Sequence, residues 1–122
     1  QISRVIFNLI KNSIESIQEK SLKTTDFDKK ITIDLTKLNN YILLTIRDTG
    51  IGFSKNEKNN LIKPYYTTKK NGSGLGLSIV NKIINDHNGK IDFISMKNGA
   101  KVDLTLPLQL NENGNWNINN RW

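Results

Sequence analysis

The sequence predicts an α/β two-layer sandwich, in which a mixed, largely antiparallel sheet is covered on one face by helices. Two segments have apolar residues at three- and four-residue steps, as amphipathic helices do, and four shorter segments alternate apolar and polar residues, as half-buried strands do. Their order along the chain is helix, hairpin, helix, hairpin. Because each element has one apolar face, the helices and the sheet are expected to bury those faces against each other.

Size and charge narrow the class of protein. The chain has 122 residues, a net charge of +7 and no cysteine. This length suits a single domain with one core, and the chain opens inside a helical pattern, as a domain from a longer protein would. No apolar run approaches the roughly 20 residues of a membrane helix. The positive charge favours anionic partners, but no dense basic block with interleaved aromatic residues indicates nucleic-acid binding.

The first helix is predicted over residues 1 to about 22, and it carries two asparagines four residues apart. Asn8 and Asn12 therefore share one side of the helix. Asparagine is a weak residue inside helices because its side chain competes for backbone hydrogen bonds. The pair is either a solvated polar edge or a pair of amide oxygens aimed at a metal ion or a phosphate, and the helical pattern alone leaves both open.

The first hairpin ends in an acidic turn. Strands are predicted at residues 31–35 and 42–46, and the second runs into Asp48, followed by Gly50 and Gly52. A carboxylate at a strand end, followed by glycines, lets the chain turn sharply beneath a planar ligand. The same residues also suit an ordinary turn.

Residues 53–73 carry no strong element apart from a possible short helix near residues 57–62. About twenty such residues in a small domain are typical of a functional lid. The lid leads through a glycine-rich loop into the second helix, predicted from about residue 74 to His87 and ending at Asn88-Gly89. Such a helix N-terminus suits a phosphate, since unpaired N–H groups and the helix dipole point at it.

The second hairpin completes the predicted domain. Its strands are expected at residues 90–95 and 102–106, with a turn at Asn98-Gly99 and an end at Pro107. Residues 108–122 show no periodicity and are predicted to be a loosely ordered tail.

Four motifs, taken in order, resemble those of the ATP-binding catalytic domain of sensor histidine kinases, in the gyrase–Hsp90–histidine kinase–MutL superfamily. Residues 8–12 (Asn-Leu-Ile-Lys-Asn) resemble the asparagine box, 48–52 (Asp-Thr-Gly-Ile-Gly) the first glycine box, and 72–77 (Gly-Ser-Gly-Leu-Gly-Leu) the second. Residues 64–69 (Pro-Tyr-Tyr-Thr-Thr-Lys) resemble the phenylalanine box, with tyrosines replacing the usual aromatics. The resemblance covers residues 1–107 and is greatest to nitrogen-regulation kinases of the NtrY type.

The resemblance implies the Bergerat ATP-binding fold with a flexible ATP lid, and it gives the singled-out residues roles with ATP and Mg²⁺. Asp48 would accept a hydrogen bond from the adenine amine, with Gly50 and Gly52 leaving room for the base. Asn12 would be the Mg²⁺ ligand. The catalytic set would be Asn8, near the triphosphate, and Lys69, although Lys69 or Lys70 is equally explained as a solvated lid charge. The other nucleotide-binding residues would be Thr68, Gly72, Ser73, Gly74, Leu75, Gly76 and Leu77.

One substitution favours a kinase over an ATPase. Hydrolysing branches of the superfamily have a glutamate as general base four residues before the metal-binding asparagine, where this chain has Asn8, which cannot take a proton. The γ-phosphoryl group would go to a histidine on a separate dimerisation domain, since His87 is better explained as a helix-end residue. A serine kinase or anti-sigma-type variant and a non-catalytic nucleotide-binding scaffold are the alternatives.

The family also implies the setting of the domain. Its partners would be that histidine-containing domain and a response regulator, with no nucleic acid. The parent protein would be homodimeric and anchored in the cytoplasmic membrane, with this domain on the cytoplasmic face.

Overall fold

Residues 1–53, 76–110 and 116–118 are described in the computed structural model of the chain. They form two helices and five strands, and the order confirms the predicted sequence of helix, hairpin, helix, hairpin. The elements are α1 (Ile2–Ser21), β1 (Ile31–Leu38), β2 (Tyr41–Asp48), α2 (Gly76–Asp86), β3 (Lys90–Met96), β4 (Gly99–Leu110) and β5 (Trp116–Ile118).

The strands pair in the order β1-β2-β4-β3, with β5 added to the far end of β4. Every pairing among the described strands is antiparallel. The predicted antiparallel sheet is therefore confirmed, whereas the parallel component of a mixed sheet is not found in this part of the chain. The strand β4 lies between β2 and β3 because the second hairpin docks on the first through its later strand.

Both helices cover the same face of the sheet, as expected for a two-layer sandwich. The helix α1 packs on β2 and against α2, and α2 packs on β3. The core between the layers is made of aliphatic side chains no more than 2% exposed: Val5, Leu9, Ile46, Val80, Ile84, Leu104 and Leu106. None of the helices in the described ranges combines the length and apolarity needed to cross a membrane.

The opposite face of the sheet carries polar side chains that pair across strands. The Thr45 hydroxyl donates to Asp103 Oδ1 at 2.8 Å, and Arg47 Nη1 lies 2.7 Å from Asp34 Oδ2. Thr45 and Arg47 alternate with the buried Leu44 and Ile46 along β2. The alternation that predicted half-buried strands therefore separates a core face from a polar face.

The helix α2 ends in a Schellman motif at the predicted position. Asn88 has a φ of 57°, in the left-handed region, and its N–H donates to the Asn85 carbonyl oxygen at 3.0 Å. The Gly89 N–H donates to the Ile84 carbonyl oxygen at 2.8 Å. These two bonds satisfy carbonyl groups that the end of a helix leaves without partners.

The C-terminal part of the sheet differs from the sequence prediction. The strand β4 continues to Leu110 instead of ending before Pro107, and residues 116–118 of the predicted loose tail pair with it as β5. Pro107 faces Tyr41, the first residue of β2, so its missing N–H falls at the end of that ladder. The next residue, Leu108, donates its N–H to the Asn40 carbonyl oxygen at 2.7 Å and carries the strand onward.

Candidate functional site

A cleft opens between α1, the turn after β2, the first turn of α2, and strands β3 and β4. It encloses about 600 Å³ of empty space, including solvent at its mouth. Most of its wall is apolar, with a few polar groups between. The lining residues are Leu9, Asn12, Ser13, Ser16, Glu19, Asp48, Ile51, Gly52, Phe53, Leu77, Phe93, Ala100 and Val102.

Asp48, the last residue of β2, brings a carboxylate into this cleft. Burial raises the pKa of the Asp48 carboxyl above its ordinary value, although hydrogen bonds from Gly50 and Ser13 and the charge of Lys20 act in the other direction. The Gly50 N–H donates to Asp48 Oδ1 at 2.9 Å. A carboxylate with an apolar wall around it is a strong acceptor for a donor on a bound ligand, such as an amino group.

The two asparagines of α1 differ in their relation to the cleft. Asn12 lines it, one turn after the buried Leu9. Asn8 is half-buried on the preceding turn and is absent from the described part of the cleft wall. The structure therefore brings Asn12 and Asp48 together at one site, while the predicted catalytic role of Asn8 stays a prediction.

The glycines after Asp48 shape the turn. Gly52 lines the cleft with a φ of +75°, a backbone conformation that favours glycine. Gly50 is buried against α1, and an added Cβ there would lie 2.7 Å from the carbonyl carbon of Ser16. The space at Gly50 is thus needed for the approach of α1, and its predicted role in making room for a base stays a prediction.

The start of α2 supplies the last described part of the predicted site. Leu77 lines the cleft, and Gly76 precedes it as the first residue of the helix. An added Cβ at Gly76 would meet no described atom within 4 Å. The other predicted nucleotide-binding residues lie outside the described residues: Thr68, Lys69, Gly72, Ser73, Gly74 and Leu75.

Sequence reasoning missed several cleft residues. Phe53 and Phe93 meet edge to face at 5.7 Å between ring centroids, and Ser95 Oγ donates to the Phe53 carbonyl oxygen at 2.5 Å. Phe93 follows the alternation of β3, which looks the same for a core residue and a cleft residue. Ser13 and Ser16 follow Asn12 on the predicted helix, but serine is an ordinary residue there, and their place in the cleft arises only when α1 meets the turn after β2.

The oxygen-bearing side chains of the cleft suit a metal ion that is bound mainly by the phosphates of a small molecule. The Asn12 amide oxygen is a hard donor suited to Mg²⁺, which commonly keeps waters and phosphate oxygens in its shell. Within the described ranges, no group of three or more His, Cys, Asp or Glu side chains could hold a metal ion. The described side chains therefore suit an ion carried in by a triphosphate better than a site made by protein alone.

His87 has a structural environment. It is 1% exposed at the end of α2, and its Nδ1 lies 2.8 Å from the Ile83 carbonyl oxygen. A buried imidazole whose ring nitrogen bonds its own helix is shielded from an incoming phosphoryl group. This environment supports the predicted helix-end role.

Comparison of the sequence with known proteins identifies a matching family and several relatives. A family model described as "Histidine kinase-, DNA gyrase B-, and HSP90-like ATPase" matches residues 1–110. The chain is 33% identical over 115 residues to "Sensory histidine kinase/phosphatase NtrB" of Azospirillum brasilense, covering 88% of this chain and 29% of that protein. It is 32% identical over 107 residues to "Nitrogen regulation protein NtrY" of Azorhizobium caulinodans, covering 86% of this chain and 14% of that protein.

A solved structure shows the same fold. The nucleotide-free catalytic domain of histidine kinase ThkA has a TM-score of 0.72 to this chain at 33% identity, covering 87% of this chain and 65% of the ThkA domain. The chain thus spans less than a third of the length of these two curated relatives.

Proposed function

Since this chain belongs to the family of histidine kinase-, DNA gyrase B- and HSP90-like ATPases, we propose that it binds Mg-ATP and donates the γ-phosphoryl group to a histidine on a separate dimerisation domain of a sensor kinase. Family membership confirms the resemblance predicted from the four motifs, and NtrB and NtrY are among the relatives. We likewise propose that the whole parent protein is a protein-histidine kinase.

The half-buried carboxylate of Asp48 is the observation that carries the proposal. Adenine presents an amino group that can donate to this acceptor, while the apolar wall, with Phe93 and Val102, would cover the ring. Guanine presents a carbonyl oxygen at the corresponding position, so two acceptors would face each other. The cleft is therefore suited to adenine over guanine.

Asn12 supports the same assignment from the other end of the ligand. Asn12 lines the cleft, and its amide oxygen would hold Mg²⁺ together with the phosphates. Bound there, the ion would neutralise charge on the transferring phosphoryl group. The chain's own part is to hold the base through Asp48 and the metal-bound phosphates through Asn12, so that the terminal phosphate is presented in a fixed position.

Asn8 supports transfer to a protein over hydrolysis. It precedes Asn12 by one helical turn, and an amide cannot remove a proton from water at that position. The acceptor would lie on another domain, because His87 is buried in its own helix end. A response regulator would be the next acceptor, and the parent would be a membrane-anchored homodimer with this domain on the cytoplasmic face.

Calorimetric titration tests the nucleotide site directly. We expect the chain to bind a non-hydrolysable ATP analogue with Mg²⁺, and to bind GTP at least about a hundredfold more weakly, because an unmatched buried acceptor is strongly rejected. Asp48→Asn should weaken ATP binding to a similar degree. The matched control is Asp34→Asn, a carboxylate on the polar face whose side chain is 55% exposed, which should bind ATP like the parent chain.

Two outcomes would contradict the proposal. Equal affinity for ATP and GTP would reject the adenine pocket, and no binding of either would favour the scaffold alternative. If ATP binds, mixing the chain with a histidine-bearing dimerisation domain of a related kinase separates the remaining readings. Acid-labile phosphate on that domain supports histidine transfer, whereas acid-stable phosphate on a protein serine supports the serine-kinase alternative.

A further inference from the structure

Three side chains form a stripe along the side of α1 that faces the turn after β2: Ser13, Ser16 and Lys20. Their spacing of three and four residues places them above one another on the helix surface. Both serines line the cleft, and Ser13 is only 4% exposed. This serine–lysine stripe is the part of α1 in contact with the residues that follow Asp48.

The two serines bond the turn at its beginning and near its end. Ser13 is buried in the same cleft wall as Asp48, and a hydrogen bond from its hydroxyl acts to lower the pKa of the Asp48 carboxyl. The Ser16 hydroxyl oxygen accepts a hydrogen bond from the Ile51 N–H at 2.9 Å. The carboxylate and the backbone three residues later are therefore both tied to the same helix face.

Lys20 bonds the middle of the turn. Its Nζ donates to the Thr49 carbonyl oxygen at 3.0 Å and lies 4.6 Å from the centre of the Phe27 ring. The ring, on the loop between α1 and β1, holds the ammonium group by a cation–π contact. Lys20 thereby adds a third attachment between α1 and the turn.

The turn also packs closely against α1 between these hydrogen bonds. Gly50 lies between the bonded residues, and the backbone of Ser16 is so near that a Cβ on Gly50 would not fit. Alanine is a better helix former than serine at positions such as 13 and 16. The two hydroxyls therefore contribute at the turn and not to the helix itself.

We propose that Ser13 and Ser16 are positioning residues, which hold the Asp48–Ile51 turn in the conformation that recognises adenine. They act through the Asp48 carboxylate and the Ile51 amide. The inference rests on the proposed nucleotide function. It adds to the Asp48 carboxylate, which would recognise adenine, the face of α1 that orients this carboxylate.

Calorimetry of Ser13→Ala and Ser16→Ala tests this role. We expect each variant of the full chain to bind the ATP analogue about tenfold more weakly, as for loss of a hydrogen bond to a charged or turn-defining group, and to discriminate less between ATP and GTP. Ser21→Ala is the matched control. Its hydroxyl donates to the Ile17 carbonyl oxygen at 2.9 Å within α1, away from the turn, and its ATP binding should not change.

Two results would overturn the inference. One is parental ATP affinity and parental ATP-to-GTP ratio in both serine variants. The other is a lowered melting temperature with an unchanged ratio, which would assign the serines a purely structural role.

NMR of the nucleotide-free chain separates this inference from the proposed function. Ser13→Ala should shift the carboxyl carbon resonance of Asp48, and Ser16→Ala should speed hydrogen exchange at the Ile51 amide. Unchanged signals at both positions would reject the positioning role even if ATP binds. Changed signals in a chain that binds no ATP would support the positioning role and reject the nucleotide function instead.

Discussion

At the scale of single residues, the ionised form of Asp48 lowers the stability of the folded chain. Burial raises the pKa of its carboxyl, so the folded chain favours the protonated form more than the unfolded chain does. The stabilising contribution of this group is therefore complete below the ordinary value of 3.8 and is lost as the pH rises through the folded-state pKa. Above the folded-state pKa, the ionised carboxylate serves binding at the expense of stability.

Asp48→Asn should reveal this cost as a pH-dependent gap in melting temperature. Above the folded-state pKa, the variant should melt at a higher temperature than the parent chain, because an amide in the cleft needs no ionisation. As the pH falls through the folded-state pKa toward the ordinary value of 3.8, Asp48 becomes protonated and the gap should narrow. Thermal unfolding of both chains across this range measures it, and a gap that widens on acidification would contradict the assignment.

Two glycines of the predicted site should respond differently to alanine. Gly50→Ala should destabilise the chain by about 2 kcal/mol or more, because the new Cβ would meet the backbone of Ser16. Gly76→Ala should leave stability unchanged or raise it by up to about 1 kcal/mol, since no described atom lies near and alanine favours a helix. Urea unfolding of both variants makes the comparison, and equal losses would contradict the difference in packing.

At the scale of elements, the end of α2 depends on one residue in the left-handed region. Asn88→Gly should be neutral or stabilising, because glycine adopts a φ near 57° without strain. Asn88→Ala should cost about 1 kcal/mol, because a Cβ without a compensating polar group is disfavoured there. Melting temperatures of the two variants provide the measurement. Equal stability of the alanine and glycine variants would mean that the helix ends by another route.

The sequence predicted the elements better than their ends. The period of apolar residues in α1 and the turn signal at Asn88-Gly89 are local, and both matched the structure to within one or two residues. The extent of β4 was not predictable in this way. Whether Pro107 ends a strand depends on what faces it, and here it faces the first residue of β2.

In the candidate site, too, some residues could be predicted from the sequence and others could not. Asn12 and Asp48 stood out because their residue types are unusual at a helix edge and at a strand end. Ser13, Ser16 and Phe93 did not stand out, since their roles arise only when α1, the turn and β3 meet in space. A motif identifies groups that bear chemistry, whereas their supports depend on tertiary contacts.

At the scale of the whole molecule, the two faces of the sheet have separate roles. The helix-covered face supplies the core and the floor of the cleft, and Val102 of β4 contributes to both, as does Leu9 of α1 on the helix side. The other face holds paired charges such as Arg47 and Asp34. Substitutions on the polar face should therefore affect binding little, which is why Asp34 serves as the control for Asp48.

The central place of β4 also has a consequence for synthesis. Among the described strands, it is the last of the four main ones to be made, and it is the one that joins β2 to β3. Until residues 99–110 have left the ribosome, the two earlier sheet edges have no common partner, and Ile46 and Leu104 cannot be buried together. Contacts between distant parts of the chain form slowly. The domain is thus expected to fold in one late step, after β4 has been made.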